Sequence, residues 1–497
     1  MRLMASLISG PRSVLTLASL ASAGSDIVQL LTNEDNFALA RRVLPALPDS
    51  RLIAREDVRR GAGEEKLGRP VVGDEIWAQS ASILAAIGML DRANWNSASF
   101  ADLYRLYLTY LEHARELVSS VEADVCWFDG VPHQAQDWAL YQACREGGVE
   151  TVVTSHTVFD GSPVTYRDVD GGPLPVADVT GGPSPHEEER RSRYLSEVVA
   201  QLVDPSSLAT GRGMRELLRG GIGRVQRVAT RLGQPLPDHY PVMIPSWPRR
   251  VIHRTNVRLR DRSRIARTAR WLLSLPNSVP DEGRPVVYFP LHFQPEMTSV
   301  PLGMPHFDQI SAVRAISAAL AGEATLVVKE HPQMLRWSAG WSRARSAAFY
   351  RSIQDTPGVQ LVSPETPSDE LMRRASIVAT LTGTAGYEAR LRGATTICFG
   401  APWYQPLRGV HRARDAASLR EALRRALAAP DPALTAEEIQ WFVRTYTLKG
   451  AWSKTPEGEG ESYWPARYAR DLFQVLEAVI GGHPWRAVAE SADARTP

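Results

Sequence analysis

Between residues 285 and 428, short β-branched runs alternate with helical stretches, and most runs end in a turn rich in glycine, proline or polar residues. Val286-Val287-Tyr288-Phe289, Thr325-Leu326-Val327-Val328, Val359-Gln360-Leu361-Val362, Ile377-Val378-Ala379-Thr380-Leu381 and Thr395-Thr396-Ile397-Cys398-Phe399 read as five strands. Segments 308–321, 341–354, 367–375, 384–392 and 415–428 read as helices. In the first of them Ile310, Val313, Ile316, Ala319 and Leu320 share one face. The alternation predicts βαβ units, hence an α/β fold with a parallel sheet covered by helices on both faces. Such sheets take ligands at the carboxyl ends of their strands, so the turns after the strands are where chemistry is expected.

The first half repeats the pattern less regularly. An amphipathic helix over 100–119, a strand over 124–128, a helix over 133–147 and a strand over 149–154 predict a second α/β unit. A length of 497 residues fits two or three domains. The expected division is an N-terminal α/β domain over 1–240, a basic, proline-containing linker over 241–284, a Rossmann-like domain over 285–430 and a C-terminal helical segment over 431–497. Nine arginines face one acid, Asp261, between Arg249 and Arg270. That segment reads as a solvated helix or as a contact for anionic lipid. Residues 168–190, with two Gly-Gly-Pro turns, read as a long loop or flap. Residues 1–23 read as a first strand and turn, or as a leader.

Composition narrows the function classes. A net charge of +2 gives no reason to expect nucleic acid. Cys126, Cys144 and Cys398 are too few and scattered for a disulfide framework or a Cys-rich zinc site, and they fit a reducing compartment. No run of 18 apolar residues occurs. No HExxH, Walker A loop, GxSxG or acidic metal cluster is visible, so neither a metal nor a cofactor is expected. Only four of the 57 basic residues are lysines, which draws attention to Lys329.

Lys329-Glu330-His331-Pro332 follows a buried strand. Pro332 forces the turn and so fixes where His331 points. His331 can donate to a phosphate or a leaving-group oxygen, or be a structural turn histidine; Lys329 adds a point charge unless strand alternation aims it elsewhere. Thr382-Gly383-Thr384 lies between a strand and a helix, where hydroxyls and backbone N–H groups can cap the helix or hold an anion. Glu388 fits a ribose hydroxyl, or a salt bridge to Arg392 four residues on. His292, Gln294 and Glu296, between Pro290 and Pro295, fit reading a base, sugar or acceptor, or forming a hinge. Trp403 and Tyr404 fit a pocket wall or core. In the first half, Asp129 and His133 follow a strand, as do His156 and Asp160-Gly161. A carboxylate there suits a general base or a nucleophile. Glu122, Asp124 and Asp137 read as solvated.

Two α/β domains with a cleft suggest the GT-B architecture: two Rossmann-like domains facing a central cleft. The strand with Lys-Glu-His-Pro, the Thr-Gly-Thr-Ala-Gly-Tyr-Glu-Ala turn, Phe-Gly-Ala-Pro-Trp-Tyr and Phe-Pro-Leu-His-Phe-Gln-Pro-Glu together resemble the capsule polysaccharide biosynthesis family, which includes Kdo-transferase-like proteins. The resemblance covers about residues 284–412 and is faint over 124–157. It implies a glycosyltransferase moving a Kdo-like sugar from a nucleotide donor, CMP-linked by preference, to a glycan or glycolipid acceptor without a metal. The site is expected at the cytoplasmic side, with peripheral contact to the inner membrane. Donor contacts would fall on Lys329, His331, Pro332, Thr382, Gly383, Thr384 and Glu388, and catalytic roles on Asp129, His133 and His292. Threonines stand where relatives carry a serine pair, and Asp129-Gly130 matches only loosely the acid-Gly pair of sialyltransferase-like relatives. A teichoic-acid-type CDP-polyol phosphotransferase, a sugar-nucleotide epimerase and a non-catalytic subunit of the same frame are the alternatives.

Overall fold

The computed structural model describes residues 1–8, 10–54, 80–94, 100–159, 162–180, 266–278, 283–294, 296–335, 345–448 and 463–484. Most of the basic segment 249–270, the second half of the 168–190 loop and Asp160-Gly161 lie outside them.

The strands are β1 (Arg2–Ile8), β2 (Asp26–Thr32), β3 (Leu52–Ala54), β4 (Val125–Phe128), β5 (Glu150–Ser155) and β6 (Val164–Tyr166), then β7 (Val286–Pro290), β8 (Thr325–Lys329), β9 (Val359–Val362), β10 (Ile377–Thr380), β11 (Thr395–Cys398) and β12 (Val410–Arg412). The helices are α1 (Pro11–Ser22), α2 (Phe37–Val43), α3 (Ser80–Asn94), α4 (Phe100–Val121), α5 (Ala135–Glu146) and α6 (Ala177–Thr180), then α7 (Ile310–Leu320), α8 (Ala347–Gln354), α9 (Ser368–Arg374), α10 (Ala385–Arg390), α11 (Ala416–Ala428), α12 (Ala436–Tyr446) and α13 (Tyr463–Ile480). Two six-stranded sheets result, ordered β3-β2-β1-β4-β5-β6 and β12-β11-β10-β7-β8-β9. Each puts its first strand beside its fourth, the doubly wound order. All pairings in them are parallel except β5 with β6.

The opening strand sits at the centre of the first sheet: Leu3 faces both Ile27 and Val125 across the two ladders. Its alternation sends Leu3 and Ala5 to one core and Met4 to the other. The second sheet divides likewise, with Val287 and Phe289 on one side and Val286 and Tyr288 on the other. Every residue of β10 is buried, as expected for a central strand covered on both faces.

Beyond the elements that the sequence pattern predicts, the structure adds β2, β3, β6, β12, α1, α2, α3 and α6, and three placements that the pattern did not carry. The helix expected in the basic linker is present over 266–273, but it is not simply solvated: Ala269 and Leu272 are buried in the second domain's core. Residues 168–180 are held down, correcting the flap reading there: Val169, Leu174 and Val176 are buried and Asp168 pairs with Arg145 at 2.8 Å. The C-terminal helices return to the first domain. Ile439, Phe442 and Val443 of α12 join the core of α3, α4 and α5, while Leu472, Val475 and Leu476 of α13 join that of α1 and β1.

The carboxyl edges of the two sheets face one another. Phe159, in the loop after β5, packs against Tyr387 of α10 and Trp403 in the loop after β11, with ring centroids 5.9 and 5.8 Å apart. Arg412 of β12 donates to the Asp170 carbonyl oxygen at 2.5 Å. The chain therefore has the GT-B-like arrangement of two Rossmann-like domains across a cleft.

Candidate functional site

On the first domain, Asp129 directly follows β4. Its backbone N–H donates to Ser6 of β1 at 3.1 Å, which anchors it between the two central strands. Ser13, in the first turn of α1, donates to one carboxylate oxygen and Thr154 of β5 to the other, the latter at 3.1 Å. Loss of hydration raises the carboxyl above its ordinary range, and the two hydroxyls and nearby His156 oppose the rise. A carboxylate held on both oxygens with raised proton affinity suits a general base. His133 Nδ1 contacts the Val131 carbonyl oxygen at 2.8 Å, so its ring is oriented by its own turn. Asp137, read as solvated, is buried in the first turn of α5, a correction to that reading.

On the second domain, the turns after β7, β8 and β10 come together. His292 is buried, with Nε2 3.0 Å from Thr380 Oγ1, and Thr380 Oγ1 also accepts the Gly383 N–H at 3.2 Å. Burial, the Arg345 charge and then His331 push the His292 imidazole down to about 3. It is therefore neutral at any working pH, and whatever it does it does as a neutral donor or acceptor. Its Nδ1 finds no partner among the described residues.

His331 begins the turn after β8, half-buried, with its ring 5.7 Å from Phe293. Pro332 opens a short 3-10 turn, as the proline reading implied. Glu330, just before His331, is fully buried and accepts from the His331 N–H at 2.6 Å, Arg345 Nε at 2.7 Å and the Tyr350 hydroxyl at 2.6 Å. Lys329 points elsewhere: Nζ donates to the Thr366 carbonyl oxygen at 2.9 Å and to Ser368. Burial pulls its ammonium down to about 8.

Within the 382–384 turn the three residues differ. Thr382 is buried and donates to the Thr298 carbonyl oxygen at 3.0 Å. Gly383 is pressed against His292, since a Cβ there would lie 2.9 Å from Nε2. Thr384 is exposed, without a side-chain cap bond to α10, so its hydroxyl is the one presented outward. Glu388 is half-buried and burial raises its carboxyl. Arg392 donates to the Glu388 carbonyl oxygen at 2.7 Å and pairs with Asp369 at 2.8 Å. Trp403 and Tyr404 are core residues, and the Tyr404 hydroxyl donates to the Gly383 carbonyl oxygen at 2.5 Å.

Sequence reading missed Ser13, Thr154, Glu330 and Arg345 as parts of this arrangement. The only signal was chemical: a carboxylate inside a buried strand end, Glu330, demands a cation, and the sequence does not say which. Among the described residues no group of three metal-ligating side chains comes together, and no helix is long and apolar enough to cross a membrane.

Residues 298–447 match the family described as capsule polysaccharide biosynthesis protein. The match spans Lys329–Pro332 and Thr382–Thr384 and bears out the family resemblance, although the 289–296 stretch that also suggested it lies before the matched residues. No curated protein matches the chain. Among solved structures, the chain is similar to a UDP-GlcNAc 2-epimerase from Methanocaldococcus jannaschii at 11% identity, over 96% of this chain and 99% of that one, with a TM-score of 0.24. It is similar to Thermosulfurimonas dismutans KpsC, β Kdo 2,4 transferase, at 14% identity, over 72% and 88%, with a TM-score of 0.27. For the β Kdo 2,7 transferase of the same organism the figures are 12%, 66%, 79% and 0.26. Likenesses this distant assign no chemistry to the chain.

Proposed function

We propose that this chain, whose residues 298–447 match the capsule polysaccharide biosynthesis family, is a glycosyltransferase that moves a sugar from a nucleotide-activated donor to a glycan or glycolipid acceptor. The second domain takes the donor and the first the acceptor. His331 donates to the donor phosphate, the Thr384 hydroxyl adds a second contact, and Glu388 receives a ribose hydroxyl. Asp129 takes the proton of the acceptor hydroxyl as it attacks the anomeric carbon; the bond from that carbon to the phosphate oxygen breaks and the nucleotide leaves. Charge on the leaving phosphate is met by His331 and the 382–384 turn, without a divalent cation. A CMP-linked, Kdo-like donor is favoured, and the reaction belongs at the cytoplasmic face, peripheral to the membrane. The observation that carries this reading is the family match, which covers the turns after β8 and β10.

Calorimetric titration with CMP, CDP, UDP and GDP tests it. A charge-assisted hydrogen bond contributes about 1.5–3 kcal/mol, so His331→Ala should weaken the preferred nucleotide roughly 10–100-fold. Selectivity for CMP supports the proposed donor, and selectivity for CDP points to polyol phosphate transfer. If none of the four binds, the transferase reading fails and a non-catalytic subunit takes its place.

A further inference from the structure

We infer that Arg345 is the positioning residue of the donor pocket: one buried guanidinium ties the turn after β7 to the turn after β8. Arg345 is 5% exposed. Its Nε donates to Glu330 at 2.7 Å, Nη1 to Gln294 Oε1 at 2.9 Å and Nη2 to the His292 carbonyl oxygen at 2.7 Å. The ring of Phe349 closes its face at 4.4 Å. Each contact uses a different nitrogen of the planar fork, a geometry that lysine cannot reproduce.

The contacts lead outward to the residues meant to meet the donor. Glu330, fixed by Arg345 and Tyr350, receives the His331 backbone N–H through its other oxygen. His292, fixed at its carbonyl, meets Thr380, and Thr380 holds the Gly383 N–H. Three separate turns are thus registered to one side chain. A buried ion pair is weak evidence of stability on its own, because desolvation offsets its attraction; holding geometry is the use that this arrangement suits. Burial above all keeps His292 neutral, and the Arg345 charge and then His331 add to it, against the Gln309 side chain, which favours the charged form.

Two full-length variants test the inference: Arg345→Lys, and the double variant Arg345→Met with Glu330→Gln, which removes both buried charges together. Three quantities are read: the melting transition, affinity for whichever of CMP, CDP, UDP or GDP the wild type prefers, and the imidazole ¹⁵N shifts of His292 and His331 from pH 4 to 9. In a variant that still melts cooperatively, affinity should fall about 10-fold or more, as expected for losing the aim of one charge-assisted bond. The His331 shifts should move. Affinity within twofold of wild type with unchanged histidine shifts would overturn the inference. So would loss of folding in both variants, which would make the network a plain folding requirement. The nucleotide arm rests on the transferase reading. If the wild type binds no nucleotide, that reading fails, while the histidine shifts still decide the positioning role.

Discussion

Lys329 is a cation kept almost wholly away from water, with its ammonium on a carbonyl and a hydroxyl instead of a carboxylate. Its folded value of about 8 lies below the roughly 10.4 of an exposed lysine. Below pH 8 both states hold the proton and the burial penalty is present in full. Between pH 8 and about 10.4 the unfolded chain holds more protons than the native one, so stability rises with pH. Urea denaturation at pH 7.5 and pH 10 should show the wild type gaining about 2 kcal/mol more than Lys329→Met over that interval. Parallel changes in the two proteins would show that the ammonium is not the source. Residue type made the charge at this strand end legible from the sequence. Its direction was not, because alternation along β8 leaves two sides and only the neighbouring turn selects one.

At the scale of elements, the turn after β11 is limited by close approach. A Cβ on Gly400 would lie 2.1 Å from the Leu302 carbonyl oxygen and 2.5 Å from the Thr382 methyl group. Leu302 belongs to the long connection between β7 and α7, and Thr382 to the turn after β10, so Gly400 is where three site-bearing loops touch. Backbone cannot yield as a flexible side chain can. Gly400→Ala should therefore cost about 3 kcal/mol in chemical denaturation, the upper part of the overpacking range. Gly10→Ala is the control: nothing lies within 4 Å of a Cβ there, and the change should lose only the N-cap preference for glycine over alanine, about 1 kcal/mol or less. Equal losses at both positions would refute the close-approach argument.

For the whole molecule, the contact that matters is aromatic. Phe159 reaches from the first domain into a nest of Tyr387, Trp403 and Phe442. Removing a buried phenyl ring costs about 3–5 kcal/mol when the surroundings cannot collapse. Since this ring joins the carboxyl edges of both sheets, Phe159→Ala should uncouple the domains as well as destabilise them. Differential scanning calorimetry should resolve two transitions in the variant where the wild type shows one. A single transition, merely lowered, would mean that α12 and α13 suffice to keep the halves together.

The sequence by itself determined β7 to β11 and the helices between them in the second domain, α4, β4, α5 and β5 in the first, their alternation and the polar turns that follow β4, β7, β8 and β10. Those features are local: strand period, helix period and turn chemistry act over a few residues, and the five strands and five helices read for the second domain fall on β7 to β11 and α7 to α11, with α8 beginning at Ala347 and the edge strand β12 not read. Parallel pairing followed too, because a helix between two strands leaves little else. Only the tertiary structure decided which side chains meet. Ser13 holds Asp129 across 116 residues of chain, and Arg345 reaches His292 across 53. The C-terminal helices pack on the first domain although they follow the second in sequence. Such contacts depend on which face of each element turns inward after the whole sheet is assembled, and no local pattern carries that information. Buried polar groups then find partners from whatever chain is adjacent, because leaving them unpaired costs more than any local preference supplies.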